Sequence, residues 1–354
     1  MKRLLLLGGG HAHVQVLRGL AGFSAGNADI RLVTPNPIHI YSGMIPGIVA
    51  GHYAAAEAQI DLARLALRAG VELVLERVAA IDAGAKIVTL ESGSSLEFDI
   101  ASLDLGSLPN DSGVPGAREH AISAKPFESF LAHWSALLKK GVAPRVAIAG
   151  AGAAGVELAM AMRYRGAEVV LFSDRNDFPG DVHGRILNAL KRSSVDLRSN
   201  TPVRAVEPGP VAVSSSGRER FDALFWSAGA AALRWLRDSA LALDGDGFVL
   251  VDPTLRSLSH SQVFAAGDCA TLQVARLPKS GVYAVREGTL LAQNLRRLVE
   301  GKPLASYQPQ SRQLSLISCG QRYAIASRGG WSAEGAWAWR WKDWIDRRWI
   351  ARFG

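Results

Sequence analysis

The sequence predicts an α/β protein with two parallel-sheet units in three layers, followed by a hairpin and an amphipathic helix. Three observations carry the prediction. Two apolar runs stop at Gly-x-Gly and continue into helical sequence, "RLLLLGGGHAHVQVL" at residues 3–17 and "RVAIAGAGAAGVELA" at 145–159. Two other segments match each other, "FDIASLDLGS" at 98–107 and "FDALFWSAGA" at 221–230, each Phe-Asp, an apolar strand and a glycine. Hydrophobic residues make up 48% of the 354 and charged residues 20%, a composition that supplies a large core and excludes disorder.

The second glycine cluster is the more complete. Val146 to Ala149 read as a buried parallel strand. Gly150, Gly152 and Gly155 then fill all three places of G-x-G-x-x-G. The first allows a tight turn, the second admits a pyrophosphate, and the third lets helix and strand lie close. The helix opens at Ala153 and runs through "VELAMAM", so its N-terminus faces the phosphates. The next strand, "AEVVLF", ends at Ser173-Asp174, and Asp174 stands about 20 residues past the glycines, where an acid binds an adenosine ribose. Strand, helix, strand and acid together identify a Rossmann-like dinucleotide site.

The first cluster has Gly8 and Gly10, with Ala12 opening the helix, but His13 replaces the third glycine. Its later strand, "IRLVT", ends at Thr34 instead of an acid. The phosphate part of the pattern is present and the ribose part is missing. His11 and His13 have two readings, local packing with turn hydrogen bonds or direct cofactor contact. Neither sits in a CxxC or HExxH context, so no metal site is expected. A late strand, "SQVFAAGDCA", runs into Gly267-Asp268, where backbone approaches a ligand and a carboxylate can accept from ligand hydroxyls. One Phe-Asp segment per glycine cluster implies two copies of one architecture and therefore two dinucleotides.

Composition excludes other classes. The net charge of +8 suits anionic cofactors or a membrane surface, and the scattered basic residues speak against nucleic acid. Cys269 and Cys319 stand apart, so neither a disulfide framework nor a cysteine metal site is expected, and a reducing cytosol fits. The start, "MKRLLLLGGG", is too short in apolar residues for a signal peptide. No apolar run reaches the ~18 residues of a bilayer span.

In order, GxGxx, FDxxxxxxGS, GxGxxGxE, FDxxxxxxG and FAAGD resemble the two-dinucleotide flavoprotein superfamily over essentially the whole chain. The chain looks most like the type II NADH:quinone oxidoreductases and the dehydrogenase-like domain fused to some selenide,water dikinases. The closer match rests on "GGGHAHVQVL", "YSGMIPGIVAGHY", "PKSGVYAVREG" and the tail from "LSLISCGQRYAIASRGG" onward. The resemblance implies FAD in the first fold, NAD(P)H in an inserted second fold, and hydride transfer from nicotinamide to flavin before delivery to an acceptor. It implies an FAD domain of residues 1–116 and 247–310, an NAD(P)H domain of 117–246 and a C-terminal segment of 311–354. Gly8, Gly10, His11, Ala12, Thr34, Val78, Gly106, Gly267, Asp268, Lys279, Ser280, Gly281 and Val282 are the residues expected at FAD. Gly150, Gly152, Ala153, Gly155, Glu157, Asp174 and Gly229 are those expected at NAD(P)H. Glu157, for positioning or proton handling, and Lys279, as a cationic partner of the reduced flavin, are the catalytic candidates; the alternatives are a solvated helix residue and a surface lysine. Asp174 favours NADH, with NADPH left open by Arg175 beside it.

Two departures bear on the acceptor. The glycine clusters and their helices hold no redox cysteine pair, which disfavours thiol chemistry. The quinone branch often opens the late helix with AQxAxQ, and here the stretch is "GVYAVR", residues 281–286, without glutamine. A quinone is the expected acceptor; a small selenium or sulfur species, or a flavin-dependent sensor without fast turnover, are the other readings.

Six of nine tryptophans follow residue 330, and from Arg340 onward five basic residues face two acidic ones. At helical spacing Trp337, Trp341 and Trp344 share a face, which Ile345 flanks and Arg348 interrupts. Such a helix suits anionic lipid, and the alternatives are packing on its own flavin domain or on a homodimer mate. Residues 312–330 read as a hairpin leading into it. The expected location is cytoplasmic, with peripheral attachment at the inner membrane face.

Overall fold

The computed structural model describes residues 2–22, 28–111, 113–175, 178, 182–310 and 312–354. Two five-stranded parallel sheets dominate it. In the first, the strand order is Val263–Ala265, Ile100–Leu103, Lys2–Leu7, Ala28–Val33, Glu72–Val74. In the second it is Ile122–Ser123, Ala223–Trp226, Arg145–Ala149, Glu168–Phe172, Asp196–Arg198. In both sheets the strand that ends in a glycine turn is central, with the Phe-Asp strand on one side. The leucine run explains the first placement: Leu4 to Leu7 are all buried, as a strand covered on both faces requires.

The Phe-Asp repeat has a structural reason. Asp99 accepts the backbone N–H of Arg3 at 2.7 Å, and Asp222 accepts that of Arg145 at 2.7 Å. Each carboxylate thus satisfies a donor near the start of its central strand, while Phe98 and Phe221 enter the cores. Each Phe-Asp strand also follows an antiparallel three-stranded sheet, Val78–Asp82 with Ile87–Leu90 and Ser95–Glu97, and Ala205–Glu207 with Val211–Ser214 and Gly217–Arg220.

The chain crosses between the units at paired backbone bonds between Leu108 and Ala231. Leu236 and Leu241 pack in the first core. The expected hairpin at 312–330 is a three-stranded meander, Ser315–Ser318, Ala324–Arg328 and Trp331–Gly335. Gly329 and Gly330, both at positive φ, make the second turn, and the third strand was not predicted because it is only five residues long and runs directly into the helix that follows.

The C-terminal helix, Ala336–Ile350, packs on its own chain. Ala338 and Trp339 enter the second core, and Trp349 and Phe353 the first. Its opposite face carries Trp337, Trp341 and Trp344, 45%, 38% and 55% exposed. Of the three readings of this tail, packing on its own chain thus accounts for one face and leaves the tryptophan face outside. Among the described residues no helix is long and apolar enough to cross a membrane.

Candidate functional site

Both glycine turns are built by close backbone approach. Gly8 has φ 96°, and a Cβ there would lie 2.3 Å from the Asp104 carbonyl oxygen. Gly150 has φ 107°, with its Cβ position 2.7 Å from Ala228. A Cβ on Gly155 would stand 1.9 Å from the Gly150 oxygen, so only glycine lets the helix Ala153–Tyr164 meet its strand this closely. Gly152 faces open space and no side chain caps that helix, which leaves its first N–H groups available to an anion.

In the first turn His13 does the work of the missing third glycine. Its Nδ1 lies 2.6 Å from the Gly8 oxygen and its Nε2 2.8 Å from Ser102 Oγ, so the ring ties the turn to the neighbouring strand. Burial pushes its pKa down to about 4 and keeps it neutral. His13 is therefore a packing residue. His11 opens the helix His11–Leu20 among aromatic rings, 4.5 Å from His39 and 5.7 Å from both Tyr41 and Trp349 by centroid. Burial also holds the His11 imidazole well below its ordinary pKa.

The surroundings of His11 contain unsatisfied polar atoms. His39 Nε2, Ser280 Oγ and Trp349 Nε1 are buried without a protein partner. A Cβ on Gly281 would sit 3.3 Å from His11 Nε2, which brings Ser280 and Gly281 to the same place. Buried polar groups of this kind call for a ligand or solvent to complete them. The lining fits a flavin dinucleotide: a glycine turn, orphaned donors and acceptors, open space at Gly106, and a carboxylate at Asp268.

Asp268 accepts from Lys125 Nζ at 2.8 Å and from Ser107 Oγ at 3.2 Å. Beside it, Gly267 donates its N–H to Glu287 at 2.7 Å, and burial pushes that carboxyl up to about 7. Thr34 and Val78 are buried, and Thr34 Oγ1 donates to the Asn36 oxygen at 3.3 Å. Val282 is exposed at the start of the helix Gly281–Val299.

Lys279 is partly buried and held by its own chain. Its ammonium donates to the Ala270 oxygen and to Thr271 Oγ1, and lies 4.1 Å from the centroid of the Phe248 ring. A half-buried ammonium needs acceptors, and the strand Ala270–Leu272 supplies them, so the residue braces the loop before the helix.

On the nicotinamide side, Asp174 is exposed past the end of its strand, with Arg175 Nε 3.4 Å away. Gly229 closes against Asn110, a Cβ there lying 3.1 Å from that side chain. Residues 176–177 and 179–181, which follow Asp174, lie outside the described residues. Glu157 is not a solvated helix residue. Its Oε1 accepts the N–H of Ser318 at 2.7 Å, and burial pushes its carboxyl up to about 7 despite the field of Lys342. Lys342 in turn donates to the Gly43 oxygen at 2.6 Å and to Asp346 at 2.7 Å, and Tyr41 donates to Asp346 at 3.1 Å. The C-terminal helix thereby encloses the acid of the second turn with a buried ion pair.

Both cysteines are buried free thiols, pushed up to about 12 by burial, and are inert as nucleophiles. Sequence reasoning missed Asp104, Lys125, Glu287 and the Tyr41–Asp346–Lys342 chain. Asp104 had a signal, an acid in an apolar stretch of sequence, and Lys342–Asp346 had helical spacing. Lys125 lies in a connection without periodicity and had none.

Comparison with known proteins places this geometry. A family model described as pyridine nucleotide-disulphide oxidoreductase matches residues 2–288. An NADH dehydrogenase-like protein of Mycobacterium tuberculosis is 30% identical over 303 residues, covering 77% of this chain and 74% of that protein. A type II NADH:quinone oxidoreductase of Staphylococcus epidermidis is 24% identical over an alignment covering 100% and 96%. The solved sulfide:quinone oxidoreductase of Aquifex aeolicus superposes with a TM-score of 0.83 at 16% identity, covering 100% of this chain and 91% of that one, which shows a shared fold.

Proposed function

This chain belongs to the pyridine nucleotide-disulphide oxidoreductase family, and on that premise we propose an FAD-dependent NADH dehydrogenase that delivers electrons to a quinone at a membrane surface. The carrying observation is that one helix, Ala153–Tyr164, joins an open glycine turn at Gly152 to the enclosed acid Glu157. When bound along the first turn, FAD supplies two-electron acceptance from a reduced nicotinamide and release to the second substrate.

The chain's own residues have distinct tasks. Gly150, Gly152, Ala153 and Gly155 present backbone N–H groups to the nicotinamide dinucleotide's pyrophosphate. Gly229 faces the same turn from the Phe-Asp strand. Asp174 accepts from ribose hydroxyls and repels a 2′-phosphate, which favours NADH over NADPH. Gly8, Gly10, His11, Ala12 and Gly106 line the flavin dinucleotide, with Thr34 and Val78 toward its adenosine end and Ser280, Gly281 and Val282 at the helix start. Asp268, held by Lys125, accepts from the ribityl chain. Glu157, its carboxyl pushed up to about 7, exchanges a proton near neutral pH and passes it toward the reduced acceptor, with Lys342 and Asp346 setting its environment.

The exposed tryptophans supply the docking face. Trp331 lies tilted against Trp337, and Trp337 stacks on Trp341, at ring centroids 6.4 and 6.3 Å apart. With exposed Arg340, Arg348 and Arg352 they form an aromatic and basic surface of the kind that settles into anionic headgroups. A soluble acceptor is the second reading, favoured by Val282 and Arg286 standing where the quinone branch often has glutamine. Turnover of NADH with quinone-loaded anionic vesicles, compared with soluble quinones and with sulfur and selenium oxidants, separates them. The account expects vesicle quinone to give the highest kcat/KM; a soluble oxidant turned over at least tenfold faster would replace it.

A further inference from the structure

Asp104 places a carboxyl where the first glycine turn gathers negative charge. It follows the strand Ile100–Leu103 and reaches the helix His11–Leu20. Its Oδ2 accepts the N–H of His13 at 2.8 Å, and the N–H of Ala12 also donates to this carboxyl. Those donors belong to the helix's first turn, whose N–H groups and dipole attract phosphate. A Cβ on Gly10 would stand 2.4 Å from Asp104 Oδ1, and one on Gly267 2.8 Å from it. The carboxyl is thus wedged between the two backbone segments assigned above to the flavin dinucleotide.

The second turn lacks this feature. In the matching Phe-Asp segments Asp104 corresponds to Ser227, and Gly152 faces open space. The surrounding charges do not neutralise Asp104. His13 is a neutral imidazole, Cys269 a neutral thiol, and Asp268 and Glu287 are further acids. Lys125 is engaged by Asp268, and Lys279 by Ala270 and Thr271.

We propose that Asp104, when ionised, repels the FAD pyrophosphate from the first turn of this helix, so that binding FAD requires a proton on Asp104. The inference rests on the assignment of FAD to the first turn. Burial, reinforced by Asp268 and Glu287, pushes Asp104 up to about 7. Below that pH the neutral carboxyl leaves FAD binding unchanged. Above it, each pH unit weakens binding by up to about tenfold, because the proton must be taken up again.

The test uses the holoprotein. It is diluted to equilibrium between about pH 6 and pH 8.5 at constant ionic strength, and released FAD is read by fluorescence, a range in which buried acids titrate and the pyrophosphate does not. The wild-type Kd should stay level to about pH 7 and then climb toward tenfold per unit. Asp104→Asn keeps an oxygen for the His13 and Ala12 N–H groups, and should flatten the climb and hold FAD more tightly at the alkaline end. Glu287→Gln should keep the climb. A level wild-type profile, an Asp104→Asn profile as steep as wild type, or flattening by Glu287→Gln alone overturns the proposal. If Asp104→Asn fails to fold, proton release accompanying FAD dissociation from wild type at about pH 8 decides: about one proton per FAD supports it and none overturns it. Protein purified without FAD would overturn the assignment of the first turn as well, whereas bound FAD with a level profile overturns only the role of Asp104.

Discussion

Trp349→Ala tests whether the C-terminal helix is part of the folded core. Trp349 is 6% exposed, stacks on Tyr41 with centroids 4.2 Å apart, and meets Phe353 edge-on at 4.8 Å. Its buried Nε1 has no protein partner, so no internal hydrogen bond is lost with it. Truncating a buried tryptophan costs about 3–5 kcal/mol in transfer and cavity terms. At about 2.1 cal/mol/K per residue, unfolding entropy for 354 residues comes to about 0.7 kcal/mol/K. The expected Tm loss is therefore about 4–7 °C. Trp344→Ala is the control: that ring is 55% exposed and meets Arg348 at 5.2 Å, so its cost should stay within about 0.5 kcal/mol, less than about 1 °C. Calorimetry on FAD-saturated protein reads both. Equal losses, or a loss below about 2 °C for Trp349→Ala, would refute the argument that this helix is anchored by burial.

Other perturbations probe the site. Glu157→Gln should slow quinone turnover and remove a step near pH 7: in wild type, turnover falls as pH rises through the raised pKa because the proton is lost, and the variant's profile should be level there. The same raised pKa makes wild-type stability decline as pH rises from the unfolded-carboxyl range, about 4.3, to about 7, a decline that Glu157→Gln should lessen in urea titrations at fixed FAD. Asp174→Ala should lower the NADH to NADPH ratio of kcat/KM by about tenfold or more, and an unchanged ratio removes Asp174 from the ribose. Gly10→Val should lose FAD, because its side chain would collide with the Asp104 carboxyl, and a folded variant with full flavin content counts against the first turn as the site.

What the sequence disclosed, and what it hid, follows from the range of the interactions. Gly150, Gly152 and Gly155 were legible because turn, cap and helix contact are all local. The two matching sheets followed, since each Phe-Asp pair marks a strand beside a glycine-turn strand. Glu157 could be singled out on the helix, but its enclosure depends on Ser318 and Lys342, which tertiary packing brings from the end of the chain. For Lys279 the helix-start position was visible, and its partners on the strand Ala270–Leu272 were not. Asp104 stood in plain view inside "SLDL", and only the structure shows the helix it faces. The tryptophan stripe was read correctly as one face, while the burial of Trp339 and Trp349 on the other came from the folded cores.

The central claim is that one chain oxidises NADH through a bound flavin and passes the electrons to a quinone. Anaerobic titration of the yellow holoprotein with NADH, followed by one addition of quinone, tests it most directly. The account predicts that about one NADH per flavin bleaches the visible flavin band and that quinone restores it, as expected when the cofactor carries the chemistry. A band that NADH leaves unchanged, or one that bleaches and is not restored by quinone, would contradict it.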